Sequence, residues 1–271
     1  MTVYILVLNW NGMNYTPNCI TSILKQDYFP IKTFVADQGS SDGSLELLRK
    51  APMGWFNLIE FGDNVGFSVG YNRLIEHVKA NYESPDFWFF LNNDTKLFPD
   101  ACSRLTECLK ADFKHAIAGL NAHDYITNER LPGYGGWIRR DDSKLKEDGF
   151  GKYWTDGTFG YKAGMENLPW FEDDYESGGC MMVKNYVLNQ VWNKYNRWFD
   201  PIYNPLYEED VDICCEVKHM GYKIMHVNRS GFQHAVSVTT KRDLGTWWPI
   251  HQENKKKFIE KWASFIDQGI I

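Results

Sequence analysis

Short apolar runs alternate with amphipathic stretches along the first hundred or so residues. Val3 to Leu8 is a continuous apolar run, short for a helix and suited to a strand buried on both faces. Pro17 to Gln26 carries Ile20, Ile23 and Leu24 at helical spacing, with Pro17 near the start, where its missing N–H costs nothing. Ile31 to Ala36 repeats the strand pattern, and Leu45, Leu47 and Leu48 open a short helix capped by Asp42 or Ser44. Trp55 to Phe61 predicts a third strand, a glycine-rich loop then leads to a helix ending near Ala80, and Phe87 to Leu91 predicts a fourth strand. Strand and helix alternating every ~30 residues predict an α/β fold, with a mostly parallel sheet covered on both faces.

Four polar loops, "NWNG", "DQGSSDGS", "GDNVGFSVGYN" and "LNNDT", follow those strands. If the strands are neighbours, the loops converge on one crevice at the carboxyl edge of the sheet, where such folds bind ligands. The last loop is the most telling. In "FWFFLNNDTKLFPD", a run apolar enough to be buried ends in Asn92, Asn93, Asp94 and Thr95, a cluster of oxygen-bearing side chains. One such residue is usually a turn or a cap, but four loops of this kind form a set.

Composition narrows the class. At 271 residues, 44% apolar and 16% aromatic, the chain can bury a substantial core, and no linker divides it. A net charge of -6 argues against a nucleic acid partner held through its phosphates. The six cysteines form no CxxC pair and read as small core residues in a reducing compartment. The N-terminal apolar run lacks a basic region and is too short to be a leader or a membrane span, so a cytoplasmic protein is expected.

The order of "VLNWNG", "DQGSSDGS", "NVGFSVGYN", "LNNDT", "SGGCMMVKN", "FD", "YEEDVDICCEVKHMGYKIMHV" and "HAVSV" resembles that of family 2 glycosyltransferases of the GT-A fold, especially the rhamnosyltransferase-like subgroup. The resemblance spans residues 3 to about 238. It implies a Rossmann-like αβα sandwich in one domain over residues 1–271. Residues 1–123 would form the nucleotide-sugar half, 124–240 the acceptor and catalytic half, and 241–271 a helical extension. The implied reaction is an inverting transfer from a nucleoside diphosphate sugar to a hydroxyl of a glycan, a lipid-linked molecule or another acceptor, in glycan or polysaccharide synthesis.

Such a reaction expels a diphosphate, whose developing charge a divalent cation can neutralise. The family's Asp-x-Asp element matches Asn92 and Asp94, with a neutral amide in the first place, and His234 matches a further ligand of some relatives. Oxygen donors suit Mg2+ or Mn2+, and an imidazole tilts the choice toward Mn2+. For the nucleotide, the resemblance and the loops point to Asp37, to Asn9 and Trp10 at the end of the first strand, and to Asn64, Gly66, Asn72 and Asn93. A carboxylate must take the acceptor's proton. Glu209 and Asp210 match the family's acidic pair at a helix start, with Asp210 assigned as base and Glu209 as the alternative. Helix-dipole compensation would explain one or two of these acids equally well.

Residues 124 to 178 match least. "GYGGWIRRDD", "GKYWTDGTFGY" and "NLPWFEDDYESGG" combine aromatic and acidic residues suited to stacking on and gripping a sugar. Trp137, Trp154 and especially Trp170, with Gly178 and Gly179, are therefore candidates for the acceptor wall, although each tryptophan could equally be packing. The C-terminal "HQENKKKFIEKWASFI" places Phe258, Ile259, Trp262, Phe265 and Ile266 at helical spacing, for docking on the core, an oligomer contact or a peripheral membrane contact. Two rival classes remain, a sugar nucleotidyltransferase and an inactive carbohydrate- or nucleotide-binding relative. The first would need a basic N-terminal loop for a triphosphate, and "NWNGMNYTPN" has no lysine or arginine.

Overall fold

Each apolar run of the first half forms a strand, and each lies beside the others in one sheet. A computed structural model describes residues 1–131, 135–140, 153–156, 165–235 and 247–270. It opens with β1 (Val3–Asn9), α1 (Thr16–Leu24), β2 (Ile31–Asp37), α2 (Ser44–Arg49), β3 (Asn57–Glu60), α3 (Phe67–Asn81) and β4 (Phe87–Asn92). β1 pairs in parallel with β2 on one side and β4 on the other, and β3 continues from β2. The order β3-β2-β1-β4 reverses direction at β1, so β1 and β4 flank the kind of switch point that opens a crevice at the carboxyl edge.

β5 (Thr95–Leu97), α4 (Ala101–Ala111), β6 (His115–Asp124), β7 (Gly135–Arg140), β8 (Tyr153–Asp156), β9 (Trp170–Asp173), β10 (Tyr175–Glu176), β11 (Cys180–Lys184), α5 (Asn185–Tyr195), α6 (Glu209–His219), β12 (Lys223–His234) and α7 (Trp247–Asp267) follow. The sheet extends from β4 through β11, β6 and β12 to β5, with β9 also on β12. β11 is antiparallel to both neighbours, whereas β6 and β12 are parallel. A second sheet runs β10-β7-β8.

Alternation along the strands divides the core into two layers. Tyr4, Leu6, Phe34, Trp88, Phe90 and Met181 face α3, α5, α6 and α7. Val3, Ile5, Val7, Phe87, Phe89 and Met182 face α1 and α4. The aromatic run Phe87 to Phe90 is buried on both faces, as a central strand must be. All six cysteines are buried and free. Phe258, Ile259, Trp262 and Ile266 of α7 are buried in the first layer, so this apolar stripe docks on the core. Among the described residues no helix is long and apolar enough to cross a membrane.

Two local expectations need correction. The third strand is shorter than Trp55 to Phe61, because Trp55 belongs to a turn closed on Pro52 and only Asn57 to Glu60 pair with β2. The cap of α2 is neither Asp42 nor Ser44 but Gly43, at φ +91°, and Ser44 is the first helical residue. Asp42 still serves this end by accepting the Ser44 N–H at 3.0 Å.

Candidate active site

Asn9 ends β1 with its amide fully buried and both ends engaged. Its Nδ2 donates to Asp37 Oδ1 at 2.6 Å and lies 3.1 Å from both Ser40 Oγ and Ser44 Oγ. Its Oδ1 accepts from Thr16 Oγ1 at 2.6 Å and Asn93 Nδ2 at 3.2 Å. Asp37 is equally enclosed. Oδ2 takes the N–H groups of Gly39 and Ser40, each at 3.0 Å, and Oδ1 takes the Ser40 hydroxyl at 2.6 Å beside the Asn9 bond. A carboxylate accepting from four donors fixes the loop after β2. Asn9, Asp37 and Asn93 thus form a lattice that ties the loops after β1, β2 and β4 together. Trp10, next to Asn9, is half-buried.

The other expected nucleotide residues lie in the loop that enters α3. Asn64 is exposed, and its Oδ1 accepts the Gly66 N–H at 3.0 Å. Gly66 has φ +82°, and a Cβ there would lie 2.4 Å from Asn204 Oδ1 and 2.7 Å from the Pro205 carbonyl. What approaches this glycine is the Asn204 side chain and the Pro205 backbone. Asn72 exchanges two hydrogen bonds with the backbone of Phe199, at 2.8 and 2.9 Å, joining α3 to the "FD" turn.

Two of the three expected metal ligands, Asp94 and His234, meet. Asp94 follows β4 and His234 ends β12, 140 residues away, yet strand pairing places His234 opposite Thr95 and lets the Ala235 N–H reach the Asp94 carbonyl at 3.0 Å. Asp94 Oδ1 lies 2.9 Å from His234 Nε2, with both residues buried. Asn92 joins them through Gly179. The Asn92 N–H donates to the Gly179 carbonyl at 3.1 Å, and a Cβ on Gly179 would lie 3.3 Å from His234 Cε1 and 3.5 Å from Asn92 Nδ2. A carboxylate, an imidazole and an amide form a mixed oxygen and nitrogen donor set compatible with Mn2+.

One residue earlier, the same turn reaches the acidic helix. The Gly178 N–H donates to Asp210 Oδ2 at 2.8 Å, and a Cβ on Gly178 would press on Phe67 and on Asp210 Cβ at 2.8 and 3.2 Å. Any side chain here would have to push Phe67 aside and crowd the acid. Asp210 is half-buried and Glu209 buried. Burial raises the Asp210 carboxyl, the Gly178 N–H opposes that rise, and the Glu208 charge adds to it. Glu209 is pushed well above the usual carboxylate range by burial and by Asp210, and its Oε2 has no hydrogen-bond partner among the described residues.

Asp212, from the same acidic turn, points away into a buried ionic cluster. It accepts from Tyr203 Oη at 3.1 Å, Trp262 Nε1 at 2.6 Å and Lys261 Nζ at 2.8 Å. Burial, then Glu216, lifts it to about 7 against the pull of Lys261. Asp200, Asp212 and Glu216 lie close enough to share an ion, but Lys261 and Arg197 already neutralise them. Asp173, Glu176 and His226 are a second close group, buried between β9, β10 and β12. Neither group includes Asp94. Trp170 begins β9 opposite Val227, and its half-buried ring packs on the second core layer. The side chains of Trp137 and Trp154, and most of the aromatic segments around them, lie outside the described residues.

Sequence reasoning does not single out Thr16 or Asn254 and gives Ser44 only as a helix-cap candidate. Asn254 carried a usable signal, since it falls on the stripe continued by Phe258, Trp262 and Ile266, where a polar residue needs a partner.

Residues 4–192 match the family model "Glycosyl transferase family 2", and the chain belongs to that family. None of the curated proteins matches it in sequence. Solved structures share its fold at low identity. GalNAc-T7 with UDP, GalNAc and Mn2+ superposes with a TM-score of 0.64 at 13% identity, over 86% of this chain and 43% of that one. The mannosyltransferase PcManGT from Pyrobaculum calidifontis, in complex with GDP-Man and Mn2+, gives 0.58 at 15% identity, over 86% and 56%. Residues 1–349 of S. aureus TarS give 0.57 at 12% identity, over 88% and 61%. The chain therefore spans less than two thirds of each of these proteins. The fold is that of GT-A glycosyltransferases.

Proposed function

We propose that this protein transfers a sugar, with inversion at the anomeric carbon, from a nucleoside diphosphate sugar to an acceptor hydroxyl in glycan synthesis. The observation that carries this reading is the Ser177–Gly179 turn. Gly179 accepts the Asn92 N–H and lies beside His234, and the Gly178 N–H donates to Asp210, which supports a diphosphate site and a base along one edge.

In the proposed step the acceptor oxygen attacks C1 of the donor sugar, the bond from C1 to the phosphate oxygen breaks, and nucleoside diphosphate departs. The acceptor's proton goes to Asp210. A carboxyl whose proton affinity burial has raised is a better match to this work than an ordinary one, and Glu209, raised well above its ordinary value by burial and by Asp210, is the alternative. Asp94, His234 and Asn92 would hold a divalent cation, which when bound supplies charge neutralisation to the departing diphosphate. The loops braced by Asn9 and Asp37, with Trp10 and Asn93, would take the nucleotide, and Gly178 and Gly179 would face the acceptor. In this reading residues 1–123 serve the donor, 124–240 serve the acceptor and catalysis, and 241–271 serve as support. The neighbours' UDP and GDP-Man support a nucleotide donor here, and the buried free cysteines fit a reducing, cytoplasmic setting.

The test pairs two variants over a panel of nucleotide sugars. Asp94→Ala should lose metal-dependent nucleotide binding by calorimetry, while Asn92→Asp keeps or tightens it. Asp210→Asn should bind donor normally but turn over about a hundredfold or more slowly. Normal turnover by Asp210→Asn would remove the base, and release of pyrophosphate instead of nucleoside diphosphate would indicate nucleotidyl transfer.

A further inference from the structure

Residues 204–208 join the short turn Pro201–Tyr203 to α6, and they touch three parts of the molecule. Toward the donor loop, the Pro205 carbonyl accepts the Phe67 N–H at 2.8 Å, and the Asn204 side chain and Pro205 backbone fill the space left by Gly66. At their other end they deliver Glu209 and Asp210. Tyr207 and Glu208, directly before those acids, both take left-handed backbone conformations, at φ +73° and +75°. Two successive non-glycine residues in that region are strained and persist only when their surroundings hold them.

The third neighbour supplies the hold. Asn254 of α7 is 1% exposed, and its Nδ2 donates to the carbonyls of Tyr203 at 2.6 Å and Leu206 at 2.8 Å, with Tyr207 O at 3.3 Å. Its Oδ1 accepts from Lys257 Nζ at 3.0 Å, and that ammonium also reaches the Ile202 carbonyl at 3.0 Å. His251, one turn earlier, lies 3.0 Å from Glu208 Oε1. The carbonyls of Tyr203, Leu206 and Tyr207 take their donor from Asn254, so α7 performs for this part of the turn what secondary structure does elsewhere. α7 also lies beyond residues 4–192, the part matched by the family model.

We propose that Asn254 is a positioning residue: it holds the left-handed pair Tyr207–Glu208 and so sets where Glu209 and Asp210 stand against the Ser177–Gly179 turn. Its catalytic consequence rests on the acid-base reading of α6, but its conformational claim does not.

The full chain with Asn254→Ala is compared with wild type, with Asn254→Gln, and with Glu260→Gln on the exposed face of α7. Hydrogen exchange should rise at least tenfold at the amides of residues 206–212 in Asn254→Ala, rise less in Asn254→Gln, and stay unchanged in Glu260→Gln. The amides of β1 and β4 should not change in any of them. Turnover should fall about ten- to a hundredfold in Asn254→Ala, with nucleoside diphosphate affinity and donor KM within about twofold of wild type. If Asn254→Ala does not fold, Asn254→Gln carries both measurements. Unchanged exchange at residues 206–212 overturns the proposal, as does exchange that rises equally across β1 and β4. Faster exchange there with normal turnover, while Asp210→Asn is inactive, overturns its catalytic consequence. If Asp210→Asn and Glu209→Gln are themselves active, the base assignment falls, and the exchange result still decides the role of Asn254.

Discussion

At the scale of single residues, the first-half site is a set of side chains that hold one another before they can hold a ligand. Asp37 is the clearest case. The resemblance implies a carboxylate that contacts the nucleotide, and in the structure its oxygens accept from Gly39, Ser40 and Asn9. Asp37→Ala would take the 2.6 Å acceptor from the buried Asn9 amide and should lower stability by about 1–3 kcal/mol. The loss should appear in chemical denaturation of the free protein. Metal-free nucleotide affinity should fall with it, because the loop carrying Ser40 loses its anchor. If nucleotide affinity falls while stability stays at the wild-type level, Asp37 acts on the ligand directly and the bracing role is wrong. The same reasoning separates Asp94 from Asp37: Asp94 faces His234 across two strands, an arrangement a loop brace does not require.

At the scale of elements, what could be read from the chain depended on how local its cause was. β1, β2, β4, α1 and α3 were legible because continuous apolar runs and helical spacing are properties of adjacent residues. The convergence of the four loops followed from strand order, and the order β3-β2-β1-β4 produces it. The strands β6, β9, β10, β11 and β12 were not resolved individually, since their pairings join segments far apart and their apolar positions are interrupted by Glu176, His226 and Asn121. For the same reason the partners of Asn72 and Gly66 were hidden. A glycine-rich helix entry suggests a ligand's approach, and the sequence cannot show that Asn204 and Pro205 fill the space. Two glycine substitutions test that packing. Gly43 and Gly66 both have positive φ, but a Cβ on Gly43 meets nothing within 4 Å while one on Gly66 collides with the backbone of Pro205. Gly43→Ala should cost about 1–2 kcal/mol of backbone strain. Gly66→Ala should cost clearly more and should slow transfer as well, since it pushes on the turn that leads to Asp210. Equal denaturation midpoints for the two variants would mean that the contact with residues 204–205 yields without cost.

At the scale of the whole molecule, several buried acids keep their protons to higher pH in the folded state than in the unfolded chain. Asp173 rises to about 8 through burial and the nearby Glu176, Asp212 to about 7, and Glu176 well above its ordinary value through burial. A carboxyl raised in this way binds more protons folded than unfolded, so its favourable contribution is complete below its unfolded value near 4 and is lost as pH rises to the folded value. His226, depressed by burial to about 4, acts in the opposite sense, but only between about 4 and its ordinary 6.5. Above pH 6.5 the buried carboxyls therefore set the slope. The melting temperature should fall between pH 6.5 and 8 at fixed ionic strength. One group that stays protonated only when folded contributes up to about 1.4 kcal/mol per pH unit, or roughly 2–4 °C per kcal/mol in a chain of this size. Asp173→Asn, which keeps an oxygen to accept the Asp174 N–H, should flatten that fall while leaving the melting temperature at pH 6.5 close to wild type. Circular dichroism melts of both proteins at the two pH values decide it. An unchanged slope in the variant would mean that Asp173 is already ionised in the folded protein, and that β9, β10 and β12 close around a charge rather than around a proton.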